Sequence, residues 1–239
     1  MFKEGICNMI FKENIKIAEF INRPNRFQAY IKIDNKELMV HVPNTGRCKE
    51  ILVPGCKVIL REGITPNRKT PYDLIAAYKE NRLINIDSQV PNKVVEEALI
   101  NKKIDKLKKF SVITREKTYG NSRFDFKLTN KNEDIYYLEV KGVTLEDKGH
   151  TRFPDAPTER GAKHLLELVE IKEKGMGAGI LFLIQMDDMS TFQVNKEMDE
   201  KFANALELAR NSGVDIFAYG CKVGENYIEL KNKLDIIWK

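Results

Sequence analysis

Residues 123–141 read RFDFKLTNKNEDIYYLEVK, and this stretch limits the possible folds of the chain more than any other. Phe124, Phe126 and Leu128 alternate with Arg123, Asp125 and Lys127, and Tyr136, Leu138 and Val140 alternate with Tyr137, Glu139 and Lys141. A period of two marks β-strands, whose successive side chains point to opposite faces. Glu139 and Lys141 therefore share a face. Pairing of the two strands brings Asp125 onto that face while the apolar residues fill the other. Two carboxylates and an ammonium then converge on one spot, a charge set suited to a divalent metal and a phosphate.

Phosphodiester cleavage requires developing negative charge to be neutralised and a water to be made nucleophilic, and a hard cation does both. Magnesium takes oxygen ligands and keeps several waters, so one or two protein carboxylates suffice to hold it, or manganese, against a phosphate. Asp125 and Glu139 are the candidate ligands. Lys141 is the candidate for orienting or deprotonating the attacking water, or for stabilising the pentacovalent phosphorane as a point charge. An Asp followed by Glu-x-Lys resembles the PD-(D/E)XK nuclease superfamily. A solvent-facing strand carrying a cross-strand Lys/Asp pair accounts for the same residues without any chemistry.

At 239 residues the chain is long enough for one large domain or two small ones. Its formal net charge is +5, and the basic excess lies within residues 1–84. That asymmetry fits a polyanion-binding module joined to a chemically different one. No apolar run approaches the roughly 20 residues needed to span a bilayer, and no apolar N-terminal run follows a basic segment, so the expectation is a cytoplasmic protein with no membrane partner. Cys7, Cys48, Cys56 and Cys221 are scattered and form no CxxC pair, which argues against a zinc or disulfide framework and fits a reducing compartment.

Residues 14–86 read as short strands separated by turns. Phe27, Ala29, Ile31 and Ile33 form one alternating run, and Leu38, Val40 and Val42 another beyond a turn at Asp34-Asn35. Several short strands in such a span predict a small OB-like barrel. Its turns are basic: Arg23-Pro24-Asn25-Arg26-Phe27, Pro43-Asn44-Thr45-Gly46-Arg47 and Pro66-Asn67-Arg68-Lys69-Thr70. Arg23, Asn25, Arg26, Arg47, Arg68 and Lys69 are therefore candidate nucleic-acid contacts, with Phe27 or Tyr30 available to stack bases. Turn formation and solubility explain the same residue types.

Residues 85–91 read as a junction. A helical stripe of Val94, Val95, Ala98 and Leu99 follows, with Asn92 as its predicted N-cap. Glu96 and Glu97 lie in the first turns, and one of them is a candidate third metal ligand. The lysines between 102 and 109 receive no role. Asp155-Ala156-Pro157-Thr158 signals the start of another helix, with Ala162, Leu165, Leu166 and Val169 as its predicted buried stripe. Arg160, Lys163 and His164 fall where an incoming phosphate meets a positive helix end; ordinary surface charge accounts for the same residues, with His164 beside Leu165 as a cap on the core. The continuous apolar run 179–186 suits a strand covered on both faces, and Phe202, Ala205, Leu206 and Ala209 mark a further helix before a last strand at 214–219. These elements make a mixed α/β layer of the kind a restriction-endonuclease-like core requires.

Taken together, RPNRF at 23–27, HVPNTGR at 41–47, RKTPYDL at 68–74, YGNSRFDF at 119–126, EVKGVTL at 139–145 and FPDAPTERGAKHL at 153–165 resemble the sugar fermentation stimulation protein A family over nearly the whole chain. The resemblance implies an N-terminal OB-fold domain, placed at 1–84, and a PD-(D/E)XK nuclease-like α/β domain with a mixed sheet flanked by helices, placed at 85–239. It implies a DNA-binding protein associated with regulation of sugar metabolism, with Asp125, Glu139 and Lys141 at the motif positions. Gly142 stands where a small polar residue such as Ser or Asn is expected, a departure that predicts a looser site. A magnesium- or manganese-dependent nuclease is one reading, and a non-catalytic DNA-binding transcriptional regulator is the other. An acidic pair held beside a polyanion groove favours the first, because only a bound cation relieves the repulsion. No helix-turn-helix, zinc finger or basic zipper is visible, so salt-sensitive backbone tracking is expected rather than major-groove readout. Oligomeric state is not written in the sequence.

Overall fold

The computed structural model describes residues 9–11, 13–147 and 149–238; Cys7 lies outside them. In chain order the elements are β1 (Met9–Ile10), β2 (Ile15–Asn22), β3 (Gln28–Ile33), β4 (Lys36–His41), β5 (Lys57–Glu62), β6 (Tyr72–Lys79), β7 (Arg82–Asn85) and α1 (Val90–Ile100). They continue with β8 (Val112–Tyr119), β9 (Ser122–Thr129), β10 (Ile135–Val143), β11 (Leu145–Asp147), β12 (His150–Phe153), α2 (Glu159–Glu173) and β13 (Gly177–Ile184). The chain ends through β14 (Thr191–Val194), α3 (Glu200–Asn211), β15 (Asp215–Val223), β16 (Tyr227–Lys233) and β17 (Asp235–Ile237).

The first part is the expected OB-like barrel. Ala29 and Ile31 on β3 and Val40 on β4 point inward and are fully buried, as a period of two requires. The β3–β4 turn places Asp34 and Asn35 at φ 49° and 59°, the left-handed pair that a two-residue hairpin with strand-matching twist needs. β2 pairs antiparallel with both β3 and β5, β5 pairs with β6, and β4 meets β6 in parallel at His41↔Asp73, which closes the ring. Phe27 departs from the predicted inward pattern. Its backbone N–H donates to Asn25 Oδ1 at 2.9 Å in the turn ahead of β3, and its side chain is 54% exposed.

The second part is a mixed sheet in the order β1-β16-β15-β13-β10-β9-β8. β10, β13 and β15 run parallel at its centre, and β13 is buried on both faces, as its unbroken apolar sequence predicts. Val94, Val95, Ala98 and Leu99 of α1 cover one face through Leu138, Leu181 and Leu183, while α2 and α3 cover the other through Ile180 and Phe182. Each fully buried Leu, Ile or Phe contributes about 1.5–3 kcal/mol. A small sheet, β11-β12-β14-β17, was not anticipated, because strands of three or four residues leave too little alternation to read.

Three local expectations are corrected. α1 begins at Val90 behind Gln89, so Asn92 lies inside the first turn and is not its cap. On α2, Leu166 is 45% exposed, and His164, Leu165 and Leu168 occupy the inward positions. Tyr136, Leu138, Val140, Phe126 and Leu128 fill the face opposite Glu139 as expected, but Phe124 does not, and the Glu139 face is itself covered. Pairing of β9 with β10 stops at Leu138↔Phe126, and Phe124 joins Tyr137 on the α2 side while Phe126 and Leu128 join the α1 side. Glu139 is 3% exposed, under α2.

The barrel and the α/β part are interlocked. Ile59, Ile75 and Leu83 from the barrel strands pack into the cluster that holds Val90 and Val94 of α1. The polar seam runs through Gln185, just after β13, whose Nε2 donates to the Asn85 carbonyl at 3.1 Å and to Asn85 Oδ1 at 3.0 Å. Asn44 Nδ2 donates to the Ile86 carbonyl at 2.6 Å from the barrel side.

Candidate metal centre

Asp125 and Glu139 lie at the point where β9 and β10 separate. Asp125 Oδ2 accepts from the Val140 backbone N–H at 2.8 Å, and Oδ1 accepts from Asn92 Nδ2 of α1 at 2.7 Å. Burial, and then the neighbouring Glu139 charge, push the Asp125 carboxyl above its ordinary value against the pull of Val140, Asn92 and Lys141. Burial also acts upward on Glu139, but the His164 hydrogen bond and the Lys141 charge outweigh it, so this carboxyl lies below its ordinary value. Glu139 Oε1 accepts from Lys141 Nζ at 2.6 Å and lies 2.5 Å from His164 Nδ1. Glu139 Oε2 is buried and has no hydrogen-bond partner.

An unpartnered buried polar oxygen costs about 1–3 kcal/mol, and more when charged. Two adjacent carboxylates in a dry setting also repel each other. A hard divalent cation relieves both, so the donor set fits one. Among the described residues no three His, Cys, Asp or Glu side chains come together as a ligand group. Asp125 and Glu139 would hold such a cation as a pair, with water supplying the remaining ligands, as magnesium commonly allows.

Glu96 and Glu97 are not beside Asp125: Glu96 Oε2 accepts from Arg115 Nη1 at 3.1 Å, and Glu97, raised by burial, has Lys103 and Glu229 for electrostatic neighbours. Asn92 occupies the position foreseen for a glutamate of α1. Gly142 does not loosen the site. A Cβ there would lie 2.3 Å from Gln185 Oε1 and 2.8 Å from Pro91 Cγ, so Gln185 already fills the space a serine or asparagine would need.

The basic turns divide into two groups. Arg23 is consumed within the fold: Nη1 donates to the carbonyls of Gly46 and Arg47 at 2.7 and 2.9 Å, and Nη2 to those of Arg26 and Asn44, both at 2.6 Å. Arg68 clamps Asp73 together with Arg61 and His41, and Asn25 is spent on its own turn and on Gln28. Arg26, Arg47 and Lys69 are exposed. Arg26 and Arg47 line a cleft of about 440 Å³ between the barrel and the α/β part, whose far wall includes Gly142, Thr144, Gln185 and the α2 cap Thr158. On α2, Lys163 Nζ donates to the Asn121 carbonyl at 3.3 Å, and Arg160 Nε donates to His164 Nε2 at 3.3 Å.

Asn92, His164 and Gln185 are the site residues that sequence reasoning missed. Gln185 left a usable signal. A polar side chain ending an apolar strand is buried, and a buried amide requires partners. Asn92 and His164 left none, since a polar residue in the first two turns of a helix reads equally as a cap or a surface group.

Residues 21–86 match the model of the SfsA N-terminal OB domain, and residues 89–227 match that of the sugar fermentation stimulation protein RE domain. The chain belongs to the sugar fermentation stimulation protein family. A Sugar fermentation stimulation protein homolog from Clostridium perfringens (strain SM101 / Type A) is 68% identical, with 96% of this chain and 100% of the relative covered. A homolog of the same name from Clostridium tetani (strain Massachusetts / E88) is 66% identical with the same coverage. The solved structure of Pyrococcus furiosus SfsA in complex with Ca2+ superposes with a TM-score of 0.88 at 25% identity, covering 97% of this chain and 99% of that one. The architecture is thus the family's OB barrel followed by its restriction-endonuclease-like domain.

Proposed function

We propose that this family member is a divalent-metal-dependent nuclease acting on phosphodiester bonds of DNA. The barrel, taken as residues 1–84, holds the strand, and residues 85–239 carry the cutting centre. The observation that carries the reading is the unpartnered, buried Oε2 of Glu139 beside a second carboxylate and an ammonium. A pure binding surface gains nothing from such an arrangement, since both carboxylates repel the DNA backbone. The Ca2+ bound by the Pyrococcus furiosus relative supports a divalent cation here, with Mg2+ or Mn2+ as the working ion.

Asp125 and Glu139 are the residues that would hold the cation, Glu139 through Oε2. When bound, it would supply charge neutralisation at the phosphate and acidify a coordinated water. Lys141 lies within hydrogen-bond reach of the Glu139 carboxylate. Its ammonium is placed to orient the attacking water or to stabilise the negative charge that builds on the phosphorane. Arg26 and Arg47, on the barrel side of the cleft, and Lys69 receive backbone phosphates, and the exposed Phe27 ring offers a base a stacking surface. The sugar in the family's name would then enter through regulation at nucleic acid rather than through a sugar site.

The test is incubation of single- and double-stranded oligonucleotides with Mg2+ or Mn2+, comparing wild type with Asp125→Asn and Lys141→Ala. Cleavage by wild type that both substitutions abolish is the expected outcome. Substrates left intact by wild type would defeat the enzymatic reading and leave a DNA-binding regulator on the same scaffold.

A further inference from the structure

Two residues on α2 remain outside that scheme. His164 is 3% exposed, and its ring packs against Phe124 with centroids 5.7 Å apart. Arg160, one helical turn earlier on the same face, is exposed, yet its Nε is directed at the imidazole. A guanidinium has only N–H donors, so the His164 Nε2 it contacts must be the accepting nitrogen. The ring proton then sits on Nδ1, and Nδ1–H donates to Glu139 Oε1 at 2.5 Å. With Lys141 Nζ also on Oε1 at 2.6 Å, that oxygen has two donors while Oε2 has none.

We infer that His164 is a positioning residue for Glu139: it fixes the rotation of the carboxylate so that Oε2 faces the cation, and Arg160 fixes the imidazole tautomer that makes this possible. The inference rests on the metal-centre reading above and deepens it by assigning the support of one ligand. Lysine alone cannot do this. Its ammonium sits on a flexible stem and follows the carboxylate wherever it turns, whereas the imidazole is clamped by packing against Phe124. Arg160 is thereby reassigned from a nucleic-acid contact by sequence position to the outer end of an Arg–His–Glu relay.

The experiment is calorimetric titration of Mn2+ into the full chain, without nucleic acid, for wild type and variants. His164→Phe keeps a ring and removes the donor. His164→Asn returns an N–H close to the Nδ1 position. Arg160→Met is an exposed change that removes only the tautomer lock. Supporting hydrogen bonds of this kind are worth about 10–100-fold in metal affinity. The expected result is a loss of at least about tenfold in His164→Phe, recovery to within about threefold in His164→Asn, and an intermediate loss in Arg160→Met at unchanged Tm. Should His164→Phe fail to fold, Arg160→Met carries the test by itself.

Wild-type affinity in Arg160→Met and His164→Phe would overturn the inference, as would equal weakness of His164→Asn and His164→Phe. Wild-type binding of Mn2+ that disappears in Asp125→Asn upholds the metal centre independently of the His164 result. A wild type that binds no divalent cation would overturn both, so the two failures are told apart.

Discussion

Asn92 on α1 donates its side-chain N–H to Asp125 Oδ1 on β9 at 2.7 Å, so an amide holds the half-buried carboxylate where a third carboxylate was foreseen. The bond pulls the Asp125 carboxyl down against burial and the Glu139 charge, which together still hold it above its ordinary value, and it adds no negative charge of its own. Asn92→Ala is expected to weaken Mn2+ binding about tenfold with little change in Tm. Titration of the cation into folded protein checks this, and unaltered affinity would show that the Val140 N–H alone fixes Asp125.

Gly142 and Gln185 are a matched pair, because the amide occupies the place of a side chain at 142. Gly142→Ala forces Gln185 Oε1 and Pro91 Cγ apart and should destabilise the protein by about 1–3 kcal/mol. Its combination with Gln185→Ser should recover part of that loss through relief of the clash, a coupling that denaturant melts of the single and double variants measure. Additive losses would contradict the pairing.

The arginines of the barrel should separate cleanly by phenotype. Arg23→Ala strips donors from carbonyls in two turns, each hydrogen bond from a charged group being worth about 1.5–3 kcal/mol, and should lower stability markedly. Arg26→Ala and Arg47→Ala should leave Tm unchanged. Together they should reduce the slope of log affinity for DNA against log salt by about two. Fluorescence anisotropy over a salt series reads the second effect, and thermal melts read the first.

Asp73 is partly shielded under Arg68, Arg61 and His41, and although burial alone would raise it, those partners hold its carboxyl down at about 2. A carboxylate depressed in the folded state contributes stability that is fully present above its unfolded value, about 4, and lost as pH falls toward its folded one. Acid unfolding of the wild type should therefore steepen below about pH 4. Asp73→Asn should be destabilised at neutral pH and show a flatter acid limb, which chemical denaturation at a series of pH values resolves.

Much of this was legible in the sequence because it rests on periodicity. The alternation in β3, β4, β9 and β10 and the apolar run of β13 come from backbone geometry alone, and they sufficed for the barrel, the mixed sheet and the placing of Asp125 near Glu139. What could not be read depends on three-dimensional closure. Arg23 and Arg47 sit in similar turns with similar neighbours, yet one faces four carbonyls and the other faces solvent. Likewise His164 looks like any polar residue near a helix start until α2 is laid across β10. The burial of Glu139 comes from α2, whose His164 lies against it, a tertiary contact that local pattern does not encode.

The seam between barrel and sheet has a mechanical meaning. Gln185 grips the Asn85 main chain, a β-bridge joins Ile84 to Met186, and apolar contacts close around them, so the barrel and the part that carries the acids are braced against each other. A molecule built so is a ruler. Under the proposed function, the interval from the gripped phosphates to the reacting one would be set by the protein, and products of uniform offset are the signature to look for.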